Sequence, residues 1–405
     1  MQPVQLGANQ PRQFYKGGQA IAELRGMTGS AEFGPEDWVA SATPLFRRGT
    51  EGLTVMPDGR YLRDVIEADP EAWLGPEHFA YFGADPALLV KLLDAGQRLP
   101  VHVHPDRAFA VRHLGSRHGK TEAWVVLGAT GSEPTVYVGW KRDVDPSELY
   151  RLVAEQGTAA LLGLLNKLTV NAGDAVLVPA GTAHAIGAGV FALELQEPTD
   201  FSIMLEQEGF NIDPANAFVG LDRELAISCV SQKAVRDQDL RSLARRAHGL
   251  GTETAKGATS VAEAETARAG AARDSTQRDS TERASTERDS TVRDSATGDG
   301  AVEDVLPVAA APYFRAQRVR GGDKVDLEPS FAVVLVDSGT GSIRGDGWEA
   351  EARRGDTFVV PWGAGSVKVA GSIGLLRCLP PLPLDAAKDD PGATQTQAAA
   401  LRAGA

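Results

Sequence analysis

The chain has 405 residues, 42% of them hydrophobic, and a formal net charge of −13. That length allows two domains with real cores, and the acidic balance excludes nucleic acid and anionic membrane surfaces as partners, though local basic residues can still hold a phosphorylated small molecule. The only cysteines, Cys229 and Cys378, are too few for a disulfide framework or a cysteine-built metal site.

The first 14 residues are polar and lack the apolar stretch of a secretion signal, and no run of about 18 apolar residues follows. A cytoplasmic protein is therefore expected. Residues 1–84 are rich in glycine, proline and acidic groups, and Phe14–Gly18 and Glu36–Ser41 read as short strands or loops. Ala87–Leu93 is a strand-length apolar run interrupted only by Lys91. A lysine there is either an edge residue with its stem buried or a site residue.

Leu99–Pro105 then carries two imidazoles, His102 and His104, in a further strand. Successive strand side chains point to opposite faces, so the two histidines share one face, which is half of a metal site. A loop to Gly119 leads into a strand over Lys120–Leu127, a turn at Gly128–Gly131, and a strand over Thr135–Trp140. Asp145-Pro146-Ser147-Glu148 opens a helix expected to run to Asn166. Strands are expected over Leu168–Asn171, Ala175–Pro179 and Val190–Gln196, and mostly helix over Pro214–Lys233.

From Gly249 the composition changes. Residues 249–304 hold almost no large apolar side chains, and Arg273–Thr297 is a degenerate pentapeptide repeat of the RDST type. Such a segment cannot offset its ordering entropy by burial, so it reads as a disordered linker. Strands resume over Phe331–Val336, Ser342–Arg344, Thr357–Pro361 and Gly371–Leu379, and the end after Pro383 reads as frayed.

The two halves share a pattern. Gly173-Asp174, Pro179 and Gly181 recur at identical spacing as Gly355-Asp356, Pro361 and Gly363, and Ala123–Ser132 matches Ala332–Ser342 loosely. In the second copy Ser366 stands at the place of His184, no His-x-His precedes it, and Phe331 falls near the place of Glu122. The expected fold is mainly β, two jelly-roll β-barrels of common origin joined by helical connections. One metal site is expected, in the first half, from His102, His104, Glu122 and His184. Nitrogen and carboxylate ligands together suit zinc, manganese or iron(II).

Gly96-x5-His102-x-His104 and Gly173-x5-Pro179-x-Gly181-x2-His184 resemble the two cupin motifs. Together with Leu89–Ala95, Val101–Asp106, Gly119–Trp124, Pro179–Gly189, Glu194–Gln196 and Thr199-Asp200, the sequence resembles the type I mannose-6-phosphate isomerase family of bicupin metalloenzymes. The resemblance implies a zinc-dependent aldose–ketose isomerase that interconverts mannose 6-phosphate and fructose 6-phosphate through an enediol. It implies His102, His104, Glu122 and His184 as metal ligands, Lys91 and Lys120 at the substrate, and Glu194 as the proton-transfer group. The implied partner is a small sugar phosphate, for a monomer or small homo-oligomer. The implied domains are a catalytic cupin over 1–235, the linker over 236–304, a degenerate cupin over 305–385 and a flexible tail over 386–405. Two positions depart from the pattern: His102 stands where the family carries glutamine, and Met204 where it carries arginine. Those departures leave open an isomerase for another sugar or sugar phosphate, or a sugar-binding member without catalysis.

Overall fold

The computed structural model describes residues 1–247, 301–322 and 325–383. The pentapeptide repeat and the last residues of the chain lie outside them. In the first half the strands are β1 (Val4–Leu6), β2 (Glu36–Val39), β3 (Leu89–Asp94), β4 (His102–Val103), β5 (Glu122–Ala129), β6 (Thr135–Trp140), β7 (Leu165–Thr169), β8 (Ala175–Val178), β9 (His184–Ile186), β10 (Val190–Gln196) and β11 (Ile203–Met204). They are followed by β12 (Ala244–Arg245), β13 (Ala301–Asp304), β14 (Arg315–Arg320), β15 (Val325–Leu327), β16 (Ala332–Gly345), β17 (Trp348–Arg353), β18 (Thr357–Val360) and β19 (Val367–Leu379). The molecule is mainly β, in antiparallel sheets. β3, β8 and β10 are buried along their whole length, which is why they read as short continuous apolar runs rather than as alternating ones.

Several expectations meet a different outcome. The helix expected from Glu148 to Asn166 is two, Pro146–Ala154 and Thr158–Leu164. Gln156 between them turns left-handed at φ 52° and Gly157 follows, which breaks the first helix. Pro214–Lys233 is mostly turns, with one helix over Arg223–Ile227. Four short helices, Ala20–Arg25, Leu62–Ala68, Pro70–Leu74 and Pro76–Phe82, lie among the first 84 residues, outside the segments read as strands or loops. Two of them start on a proline at the first turn, where a missing N–H costs nothing. Inside the expected linker, Asp237–Leu243 is helical and β12 and β13 are strands.

The internal repeat is visible in the hydrogen bonds. Gly173 and Gly355 both take φ above 90°, a conformation that favours glycine. Gly173 N–H donates to Val126 O, as Gly355 N–H does to Val336 O, and Val126 and Val336 donate in return to Asp174 O and Asp356 O. The Asp174 carboxylate accepts from Asn171 N–H and the Asp356 carboxylate from Arg353 N–H.

The six-stranded sheet runs β12-β8-β5-β10-β3-β2, and the main path of the eight-stranded sheet runs β1-β18-β16-β19-β14-β13. Five strands of each half occupy the same places in the same order. The sixth place is filled in each case by a short outlying strand: β1, from the N-terminal segment, pairs with β18 in the second half's sheet, and β12 pairs with β8 in the first half's. The register also refines the comparison between halves. Glu122 lies opposite Val178 and Ala332 opposite Val360, so Ala332, one residue on from Phe331, stands at the place of Glu122. Arg377 takes the place of Glu194, for it faces Gln317 and Val334 as Glu194 faces Lys91 and Trp124.

The third sheet, β11-β4-β9-β6-β7, packs on the six-stranded one through Val136, Val138 and Ile186 against Leu93, Trp124, Val126 and Val176. The other face of the six-stranded sheet joins the second half, with Val90, Leu92 and Leu193 in one core with Phe314, Val333 and Leu376. Arg25 fastens this junction. Its guanidinium donates to Asp37 Oδ2 at 2.8 Å and to Thr357 Oγ1 at 2.7 Å, and Asp37 is fully buried. Arg25→Ala strands that carboxylate, and a loss of about 3–5 kcal/mol of stability is expected, read as a lower urea midpoint at unchanged slope.

Candidate metal centre

His102 and His184 lie directly opposite each other across β4 and β9. His104 follows His102 by two residues and returns to the same side, as strand geometry requires. The ring centroids are 4.1 Å apart for His102 and His184, 4.8 Å for His104 and His184, and 5.0 Å for His102 and His104. One ligand nitrogen from each ring lies within 4.8 Å of the others. Glu122, the first residue of β5, reaches in from the six-stranded sheet. Its Oε2 is 3.0 Å from His104 Nε2 and its Oε1 3.2 Å from His184 Nε2.

Each imidazole is fixed by its other nitrogen. Nδ1 of His102 lies 2.8 Å from Pro100 O, that of His104 2.8 Å from Phe201 O, and that of His184 2.8 Å from Thr182 O. A carbonyl only accepts, so Nδ1 carries the proton and the Nε2 lone pairs face inward. His104 Nε2, His184 Nε2 and Glu122 Oε2 are buried without a hydrogen-bond partner. Orphaned buried acceptors are costly unless something binds them, and a cation is what this donor set fits. Burial holds His102 well below the usual imidazole range, with His184 and His104 adding to it, and burial followed by the Lys120 charge pushes His104 down to about 3. Burial opposes ionisation of Glu122, yet His104, His184 and Lys120 keep its carboxyl well below the usual range. Neutral imidazoles and an ionised carboxylate are the forms a metal ion needs.

A cavity of about 330 Å³ opens beside the histidines, and its lining includes His102, Lys91, Lys120, Glu194 and Met204. Lys91 is fully buried, 3.4 Å from Glu36 and 3.6 Å from Glu194, with its ammonium 4.5 Å above the Trp38 ring. Burial works against its charge, but Glu36, Glu194 and Asp200 raise its pKa above the usual lysine value. Lys120 Nζ lies 3.2 Å from Ser202 Oγ and 3.7 Å from Glu122 Oε2. Glu194 accepts from Trp124 Nε1, and burial, reinforced by Glu122, pushes its carboxyl up to about 7.

All seven residues singled out in the sequence therefore converge on this centre or its cavity. Three others were not singled out. Glu36 accepts from Tyr15 Oη, Trp38 Nε1 and Gln13 Nε2. Tyr15 and Asp200 also line the cavity, and Asp200 accepts from Phe46 N–H. A single carboxylate among the acidic residues of the N-terminal stretch gives no periodic or spacing signal, and only pairing with Lys91 reveals it.

No family model matches the chain. The mannose-6-phosphate isomerase of Streptococcus mutans is 35% identical over 188 residues, 45% of this chain and 54% of that protein. Mannose-6-phosphate isomerase ManA of Bacillus subtilis is 32% identical over 191 residues, 47% and 56% respectively. The chain thus spans about half the length of the curated relatives it matches. Among solved structures, the mannose 6-phosphate isomerase from Bacillus subtilis superposes with a TM-score of 0.64 at 20% identity, covering 93% of this chain and 99% of that one. A mannose 6-phosphate isomerase bound with zinc and yttrium gives 0.63 at 16% identity, over 94% and 100%. The chain is thus similar in sequence to about half the length of these mannose-6-phosphate isomerases and shares its fold with the solved ones over nearly its whole length.

Proposed function

We propose that the chain is a metal-dependent aldose–ketose isomerase interconverting mannose 6-phosphate and fructose 6-phosphate. The observation that carries this reading is the inward Nε2 set of His102, His104 and His184, completed by Glu122 and opening on a cavity that holds a carboxyl poised near neutrality. Those four residues would hold the ion; a mannose 6-phosphate isomerase of the same fold is bound with zinc, and manganese and iron(II) suit the same donors. A bound divalent cation supplies Lewis acidity, withdrawing charge from a substrate oxygen.

The protein's own groups do the rest. Glu194 takes the proton from C2 of the aldose as the enediol forms and returns it to C1, a task for which a pKa of about 7 is well placed. Lys91, held as a cation between Glu36 and Glu194, and Lys120, held by Ser202, donate to substrate oxygens. In the same reading the chain is two cupin barrels: the catalytic one over 1–235 and a degenerate one over 305–385, with a linker over 236–304 and a tail over 386–405. It works in the cytoplasm as a monomer or small homo-oligomer. One observation favours a second reading. Met204 lines the cavity where the resemblance expects arginine, and a thioether supplies no fixed charge; an isomerase for another sugar, or a sugar-binding member without turnover, accommodates that.

Metal-loaded protein given mannose 6-phosphate should form fructose 6-phosphate. Absence of product overturns the first reading, and tight sugar binding without product favours the second. Glu194→Gln should lower kcat by a factor of about 10²–10⁴ while metal content stays at the wild-type level. His104→Ala should abolish metal binding by elemental analysis, and Ser366→Ala should leave it unchanged. A second metal lost with Ser366→Ala would contradict a single site.

A further inference from the structure

Resting on the isomerase reading and sharpening it, we propose that Arg12 and Arg48 form the subsite that grips the substrate's phosphoryl group at the mouth of the cavity. Four lysine and arginine side chains line this cavity: Arg12, Arg48, Lys91 and Lys120. The two lysines are buried and already matched, Lys91 by Glu36 and Glu194 and Lys120 by Glu122. A phosphate dianion brought among Glu36, Glu194 and Asp200 would meet carboxylates on every side and lose its hydration. The arginines differ on both counts, since they are exposed and carry the planar fork that suits a phosphate.

The mouth is built, not merely basic. The loop carrying Arg48 is closed by its own backbone, with Leu45 N–H donating to Glu51 O, Arg48 N–H to Leu45 O and Glu51 N–H to Arg48 O. Phe46 N–H pins it to the Asp200 carboxylate of the cavity wall. Arg48 Nη1 donates to Arg12 O at 2.6 Å, so the segments bearing the two guanidiniums are tied to each other. Asn9 adds a second tie by donating to both Trp38 O and Gly52 O. The Arg12 guanidinium lies 4.5 Å over the Phe33 ring, which fixes its plane. Arg48 gives Nη2 to Glu51 and keeps further N–H groups for an anion. The exposed positive charge of the cavity is thus at its rim, and the sugar end is left for the metal, Lys91, Lys120 and Glu194.

The test is calorimetry on the metal-loaded full chain, with inorganic phosphate, mannose 6-phosphate and mannose as probes. In the double variant Arg12→Ala/Arg48→Ala, inorganic phosphate and mannose 6-phosphate should bind about tenfold more weakly or worse, and mannose as before. Both side chains are exposed, so the melting temperature should not move. Arg48→Lys should fall between wild type and Arg48→Ala. His104→Ala, which lacks the metal, should still bind phosphate, because the anion sits on the arginines. Phosphate binding that is absent in wild type, survives within twofold in the double variant, or vanishes in His104→Ala overturns the proposal. Arginine-dependent phosphate binding without fructose 6-phosphate formation removes the isomerase reading and leaves the subsite standing.

Discussion

Three imidazoles turned the same way against one carboxylate are the constraint around which the first half is built. Buried histidines with open Nε2 lone pairs are destabilising unless something binds them, and His102, His104 and His184 are all buried. The backbone nevertheless commits a carbonyl to each Nδ1, Pro100, Phe201 and Thr182 in turn. That arrangement fixes the order of elements nearby. His102 must lie opposite His184 across β4 and β9, and β5 must begin at Glu122 so that its first side chain reaches both His104 and His184. Gly119 makes the approach possible, since a Cβ there would meet Pro105 O and the Asp106 backbone at 2.7 Å.

The second half shows what the same frame does without that demand. Ala332 stands at the place of Glu122, Ser366 at that of His184 and Arg377 at that of the buried Glu194. Arg377 then spends its guanidinium on Gln317 Oε1, Glu328 O and Ser330 Oγ, so protein groups satisfy what would otherwise be a vacant polar interior. Desolvation lowers its pKa to about 10, which still leaves it charged at neutral pH. The outer edges of both sheets are covered by short strands from elsewhere in the chain, β18 by β1 from the N-terminal segment and β8 by β12 from the segment after the first half, and an edge strand covered in this way is no template for association.

Much of this was legible in the residues. The Gly-Asp turns at 173 and 355 announced the duplication because a left-handed glycine followed by a carboxylate that caps the preceding turn is a local device. The histidine cluster was legible because strand alternation alone puts His102 and His104 on one face. What was hidden was decided by distant contacts. Glu36 is a site carboxylate only because β2 lies beside β3 and faces Lys91 with it. The break at Gln156 carried no hydrophobic signal, since the apolar spacing continues on both sides. The one-residue offset between Phe331 and Ala332 followed from the ladder and not from the alignment; such an offset matters because each step along a strand reverses the face.

The same ladder joins the two positions, 102 and 204, at which the sequence differs from the family it resembles. Met204 is the residue opposite His102 across β11 and β4, and residues opposite each other in an antiparallel pair project to the same face. Both line the cavity. A guanidinium at 204 would lie beside the imidazole at 102, and a neighbouring positive charge opposes cation binding to that ring as surely as it opposes its protonation. A glutamine at 102, whose carbonyl oxygen can accept from an arginine, tolerates that neighbour; a histidine ligand is better served by an apolar one. Met204 and His102 thus share a single rung of the sheet, an imidazole beside an uncharged side chain. A phosphoryl group entering this cavity would then find its cation at the arginine-bearing rim, which Phe46 ties to the Asp200 wall and Asn9 and Arg48 tie across itself.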